Sequence, residues 1–151
     1  IGNFGKAINY IKSLNINMLI DTSVLIDNSF YLIGRNDKDA RRFGNETRKP
    51  LNKIMSEVNI NLPMILMDHQ PANLNEAIEN KIDIQLSGHT HNGQFFPFNL
   101  ITKKVFELSY GYLQKEKTHF YVSSGFGTWG PPVRIGSKPE IVFINIRFNN
   151  N

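Results

Sequence analysis

At 151 residues, with 40% hydrophobic and 11% aromatic content, the chain has a globular composition and the length of one ordinary domain. Its 17 Lys and Arg exceed 13 Asp and Glu by only +4, scattered apart from Arg41-Arg42 and Arg48-Lys49, which reads as a solvated basic surface rather than a specific nucleic-acid interface. There is no cysteine, which excludes disulfides and thiolate zinc sites, and no apolar run approaches the roughly 18–20 residues of a membrane span.

Asn3 can cap a first helix from Phe4 to about Leu14, with Ala7, Ile8, Ile11 and Leu14 at helical spacing. Three short strands are expected next, Met18–Ile20, Ser23–Ile26 and Phe30–Gly34, joined by turns at Asp21-Thr22 and Asp27-Asn28 into a meander. Arg35 to Lys49 is a long polar connection with turn signals at Asn36-Asp37 and Gly44-Asn45. Pro50 opens a helix reaching Val58, with Leu51, Ile54, Met55 and Val58 inward.

Pro63–Asp68 is then a strand, Asn73 or Asn75 to Asn80 a helix, and Asp83–Ser87 a strand. Strand, helix and strand in that compass imply parallel neighbours. Gly93–Leu100 is aromatic and broken by proline, and its Phe95, Phe96 and Phe98 read as core rather than as a lipid-binding lip. Ile101 to Leu108 fits a short helix. Tyr110–Gln114 and His119–Ser123 flank Lys115-Glu116-Lys117 as a hairpin. His119 has no motif around it and reads as surface. Gly125 to Pro139 is a Gly- and Pro-dense loop, Glu140 to Phe148 a final strand apolar on both faces, and Asn149 to Asn151 a tail. No repeat or linker divides the chain, so a single domain is expected.

Two stretches carry chemistry. Ile65-Leu66-Met67 runs into Asp68-His69-Gln70-Pro71, and Ile84-Gln85-Leu86 runs into Ser87-Gly88-His89-Thr90-His91. Short apolar runs ending in histidine place the imidazoles just past the carboxyl ends of strands, where open α/β sheets bind ligands. Neutral imidazole suits zinc, iron and manganese. Asp68, beside a histidine, either orients an imidazole or caps the turn after its strand. Trp129 and Arg134, in GTWGPPVR, either line the mouth of a substrate cleft, with Arg134 pairing to phosphate, or lock a long loop through stacking and backbone bonds.

DHQP, then LSGHTHNGQFFPFN, then SSGFGTWGPPVRIG together resemble the calcineurin-like metallophosphoesterase superfamily, in particular its bacterial branch of small predicted phosphohydrolases, from about Phe4 to Ile146. The resemblance implies an α/β fold, the C-terminal half of a four-layer α/β/β/α sandwich with a mixed sheet flanked by helices. It implies that His69 and His89 bind one metal and His91 a second, the pair being manganese, iron or zinc. A phosphomonoester or phosphodiester would be the substrate, whether a small molecule or a lipid-linked phosphate.

That family assembles its site from five motifs, and only the last two occur here; D-x-H, G-D-x-x-D and G-N-H-[DE] do not. The chain is therefore expected to be a C-terminal fragment, with the leaving-group histidine and the bridging aspartate upstream. Alone it should be inactive, hold at most one weakly bound cation, and self-associate through the surface that the absent half would cover. The alternative is a degenerate, non-catalytic binding or scaffold member. Localisation stays open, because the branch includes membrane-anchored and exported proteins.

Overall fold

A computed structural model describes residues 4–40 and 47–147. The expected Asn3 cap, the Arg41-Arg42 pair, the Gly44-Asn45 turn, Phe148 and the Asn149–Asn151 tail lie outside the described residues.

Six strands form one sheet: β1 (Thr22–Ile26), β2 (Phe30–Gly34), β3 (Met64–Met67), β4 (Ile84–Ser87), β5 (Gly111–Lys115) and β6 (Thr118–Val122), in the spatial order β1-β2-β3-β4-β6-β5. The four central strands are parallel, and an antiparallel partner closes each edge. The α/β class and the mixed sheet are as expected. Helices α1 (Phe4–Ser13), α2 (Leu51–Ile54, continued by a 3-10 turn at Met55–Glu57), α3 (Asn75–Glu79) and α4 (Phe98–Val105) flank it.

The order follows from connection length. β1 and β2 are joined by a tight turn in which Asp27 and Asn28 take positive φ, so they pair antiparallel. β2 to β3 and β3 to β4 each cross over through a helix, which returns the next strand parallel. One row across the sheet sets the core face: Ile33 pairs with Leu66, Leu66 with Gln85, and Gln85 with Phe120. Ile33, Leu66 and Phe120, with Met64 two residues back on the same face of β3, pack under Leu51, Ile54, Leu74, Ala77 and Ile82. Glu76 on α3 accepts the Leu51 amide at 3.0 Å, supplying a partner for an N-terminal N–H of α2 that its own Pro50 cap does not satisfy.

Several expectations are corrected. Met18–Ile20 forms no strand: Leu19 passes so close to β2 that a Cβ on Gly34 would lie 2.3 Å from that of Leu19, so the run packs against the sheet end instead of joining the ladder. The helix expected at Ile101–Leu108 begins at Phe98, because Pro97 lies before its first turn, where a missing N–H costs nothing. Phe96 and Phe98 are exposed, at 64% and 53%, rather than core, since α4 buries none of its residues. Residues 141–147 form no strand, and Ile141 and Phe143 stand 85% and 86% exposed. Apolar alternation reports which faces a strand would bury; it does not supply the edge that strand needs. His119 hydrogen-bonds the Tyr112 hydroxyl at 2.7 Å across the β5–β6 hairpin, away from the other histidines' strand ends.

Candidate metal centre

β3 and β4 are parallel neighbours, with Met67 opposite Leu86, so the residues that follow each emerge at the same end of the sheet. Backbone pairing continues past both strands: the Asp68 amide donates to Leu86 O at 3.1 Å and the Gly88 amide to His69 O at 3.0 Å. His89 then takes a positive φ of 67°, turning its ring back toward its neighbour. As a result His69 Nε2 and His89 Nδ1 lie 3.2 Å apart, their rings edge to face at a centroid distance of 5.0 Å. Phe106 packs against the far side of the His89 ring, at 6.1 Å between centroids. An open cleft of about 430 Å³ runs past His69, lined also by Arg35, Asp68 and Gly88 among others.

His91 belongs to a 3-10 turn, His91–Gly93, capped by Thr90, whose hydroxyl accepts from the Asn92 amide and donates to Ser109 O at 2.6 Å. A Cβ on Gly93 would fall 2.2 Å from the Asn99 amide, so glycine at φ +75° is what lets α4 close on this turn. His91 Nδ1 faces Arg134 Nη2 at 3.4 Å.

Both turn histidines are held toward the neutral form. Partial burial lowers the pKa of His89, and the His69 charge adds to that, outweighing the opposing pull of Asp37 and Asp39. Burial likewise lowers His91, helped by Arg134, His89 and His69, against a hydrogen bond to the Ser124 backbone. A neutral imidazole is the ligating form, and these shifts favour it over the protonated one.

Geometry allows a direct check of fit. Two nitrogens each about 2.0–2.1 Å from one tetrahedral cation lie about 3.3 Å from each other. The His69–His89 nitrogen gap of 3.2 Å matches that spacing. Among the described residues no cluster of three or more His, Cys, Asp or Glu could hold a metal, so the donor set here is partial.

Among the described residues, the Asp68 side chain is engaged by arginines. Its carboxylate is buried and gripped by Arg48, with Nη1 at 3.0 Å from Oδ1 and Nη2 on Oδ2, while Arg35 Nη1 stands 3.7 Å away. Two guanidinium groups from the 35–49 connection claim it before any imidazole does. Arg134, too, is engaged with the loop rather than turned to receive phosphate: Nη2 donates to the carbonyls of Ser124 at 2.8 Å, Gly125 at 3.1 Å and Gly127. Its Nη1 reaches His91 O at 3.4 Å and Ser137 Oγ at 3.3 Å. Trp129 is 73% exposed and borders a cavity of about 280 Å³ with Phe95, Phe98 and Ile101.

Two residues at the site carried no signal in the sequence. Asp37, read as part of a turn, has Oδ2 4.0 Å from His69 Nε2. Gln94 is 3% exposed, and among the described residues its side chain bonds to the main chain of Trp129, Pro131 and Val133. A partner thirty-five residues away leaves no local pattern to read.

Parallel strands presenting histidines from adjoining carboxyl ends define an α/β domain with its candidate site where open sheets bind ligands. The chain is similar over 141 residues to an uncharacterised metallophosphoesterase of Helicobacter pylori, at 34% identity, covering 92% of this chain and 38% of that protein. Over 148 residues it is 30% identical to another from Aquifex aeolicus, covering 97% and 56%. It is also 36% identical over 124 residues to a Danio rerio protein named as a transmembrane protein with a metallophosphoesterase domain, covering 77% and 28%. No family model matches the chain, and no solved structure does. The chain belongs to the calcineurin-like metallophosphoesterase superfamily. Its likeness is not confined to bacteria, and it spans from about a quarter to a little over half of the length of these relatives. No helix among the described residues is long and apolar enough to cross a membrane.

Proposed function

We propose that this chain contributes three histidine ligands to a two-metal centre that hydrolyses a phosphomonoester or phosphodiester, His69 and His89 holding one cation and His91 the other. The observation that carries the reading is the 3.2 Å gap between His69 Nε2 and His89 Nδ1, beside an open cleft that His69 lines. When bound, a pair of divalent cations would polarise the phosphoryl group and provide a nucleophile at neutral pH.

The chain's own residues fix the ligands in place. The Gly88-to-His69 backbone bond couples the two loops, Phe106 limits rotation of the His89 ring, and the Thr90 cap holds the turn that carries His91. Burial keeps His89 and His91 neutral and so ready to ligate. The remaining donors, among them a bridging carboxylate, would come from elsewhere in the whole protein. On this reading the 151-residue chain alone is inactive and retains at most one weakly bound cation. The substrate is a small-molecule phosphoester, lipid-linked phosphates included.

The test is hydrolysis of chromogenic phosphomonoesters and phosphodiesters by the whole protein with Mn²⁺. Activity is expected in the parent, and His89→Ala should lower it by more than the roughly 10–100-fold typical of losing a residue behind the ligands. A parent with no turnover on any ester, or a variant as active as the parent, would contradict the proposal.

A further inference from the structure

Gln94 lies three residues after His91 and is buried to 3% exposure, and among the described residues its side chain bonds to a distant loop. The two N–H groups of its Nε2 are shared among Trp129 O at 2.8 Å, Val133 O at 3.1 Å and Pro131 O at 3.2 Å, and its Oε1 accepts from the Trp129 amide at 2.6 Å. Its main chain closes the same connection, since the Gln94 amide donates to His91 O at 3.0 Å and the Ile135 amide donates to Gln94 O at 2.8 Å. One residue therefore bonds to the main chain of the histidine turn on one side and of the Trp129 loop on the other. Arg134 makes the second fastening, from the loop to His91 and to the carbonyls of Ser124 and Gly125.

What this lock holds is unusual. Trp129 has both of its main-chain polar groups fixed by one buried amide while its side chain is 73% exposed. A rigid main chain that holds an exposed indole at a cavity lined also by Thr90 and Gly93, which flank His91, is the arrangement of a contact surface. We propose that Gln94 is a positioning residue, which fixes Trp129 relative to His91 so that the indole forms one wall against which the organic part of the phosphoester rests. The proposal rests on the phosphoesterase reading and adds a specificity element to it.

The experiment compares the whole protein with Gln94→Ala and with Trp129→Ala, reading steady-state kinetics on a bulky chromogenic ester, bound metal, and hydrogen exchange across residues 125–137. Gln94→Ala should raise exchange in that loop at least about tenfold, as lost main-chain bonds open locally. It should raise KM by about tenfold with kcat changed less than about threefold, and leave metal content unaltered. Trp129→Ala, which removes the wall and spares the lock, should reproduce the KM increase without the faster exchange.

Unchanged exchange in Gln94→Ala would overturn the lock. Faster exchange with KM unchanged in both variants would overturn the wall. If the parent proves inactive on every ester, the phosphoesterase reading fails and with it the wall, while the exchange comparison still decides whether Gln94 positions the loop. Should Gln94→Ala not fold, Trp129→Ala with its KM unchanged overturns the proposal alone.

Discussion

The histidines sit between two flanks that are held by different chemistry. On the β3 side the 35–49 connection is fastened by charge: Arg35 to Glu76 at 2.7 Å, and both Arg35 and Arg48 against the buried Asp68. Asp21, buried under the same connection, accepts the Asn36 amide at 3.0 Å and the Lys49 amide at 2.8 Å. On the β4 side the loop beyond Gly125 is fastened by a neutral amide and by one guanidinium turned toward main-chain carbonyls. Clustered buried charges make an arrangement whose loss is abrupt, because removing one member strands the others. Bonds from one side chain to many backbone groups make a hinge-like fastening that fails locally. The first flank should therefore govern global stability and its pH dependence, and the second the position of the loop that carries Trp129.

The largest effect expected from this contrast comes from Asp68→Ala. It leaves Arg35 and Arg48, with side chains only 4% and 16% exposed, without their shared carboxylate. A loss of about 3–5 kcal/mol in denaturant unfolding is expected. A loss below about 1 kcal/mol would show that water replaces the carboxylate readily, and the contrast between the flanks would collapse.

A smaller effect is expected from acid. Burial alone would raise the Glu76 pKa, but the Arg35 hydrogen bond, the Leu51 amide and the charges of Arg35 and Arg48 together hold it below its ordinary value. The sign follows: a carboxyl depressed in the folded state adds stability above its unfolded pKa of about 4.5, and that stability is lost as pH falls through the lower folded value. Hydrogen exchange, corrected for intrinsic rates, should loosen residues 35–40 and the start of α2 below about pH 4.5 before it loosens the 125–137 loop. Glu76→Gln should flatten that acid dependence. Simultaneous loosening of both loops would mean that the two flanks are one cooperative unit.

How much of this was legible in the sequence depends on distance along the chain. The two histidine-ended strands, the helix between them and the β5–β6 hairpin are each specified by residues within a few positions, and each forms where the pattern places it. What could not be read joins segments far apart. Arg48 reaches Asp68 across twenty residues and Gln94 reaches Trp129 across thirty-five, with no periodicity to announce either. Residues 141–147 fail for the complementary reason, since their alternation is genuine but no described strand edge receives it. The sequence leaves Arg134 open between pairing to phosphate and locking its loop, because it does not show the carbonyls of Ser124, Gly125 and Gly127 converging on that side chain. The site's histidines were local and visible; the contacts that hold them were not.

The central claim is that His69 and His89 share one cation while His91 serves another. It is tested most directly by titrating Mn²⁺ into the whole protein and into His69→Ala, His89→Ala, the double variant and His91→Ala. The account predicts that the first two weaken the same single equivalent, that the double variant is little worse than either alone, and that His91→Ala weakens the other equivalent. Additive losses from His69→Ala and His89→Ala on separate equivalents, or full metal retention in both, would contradict it.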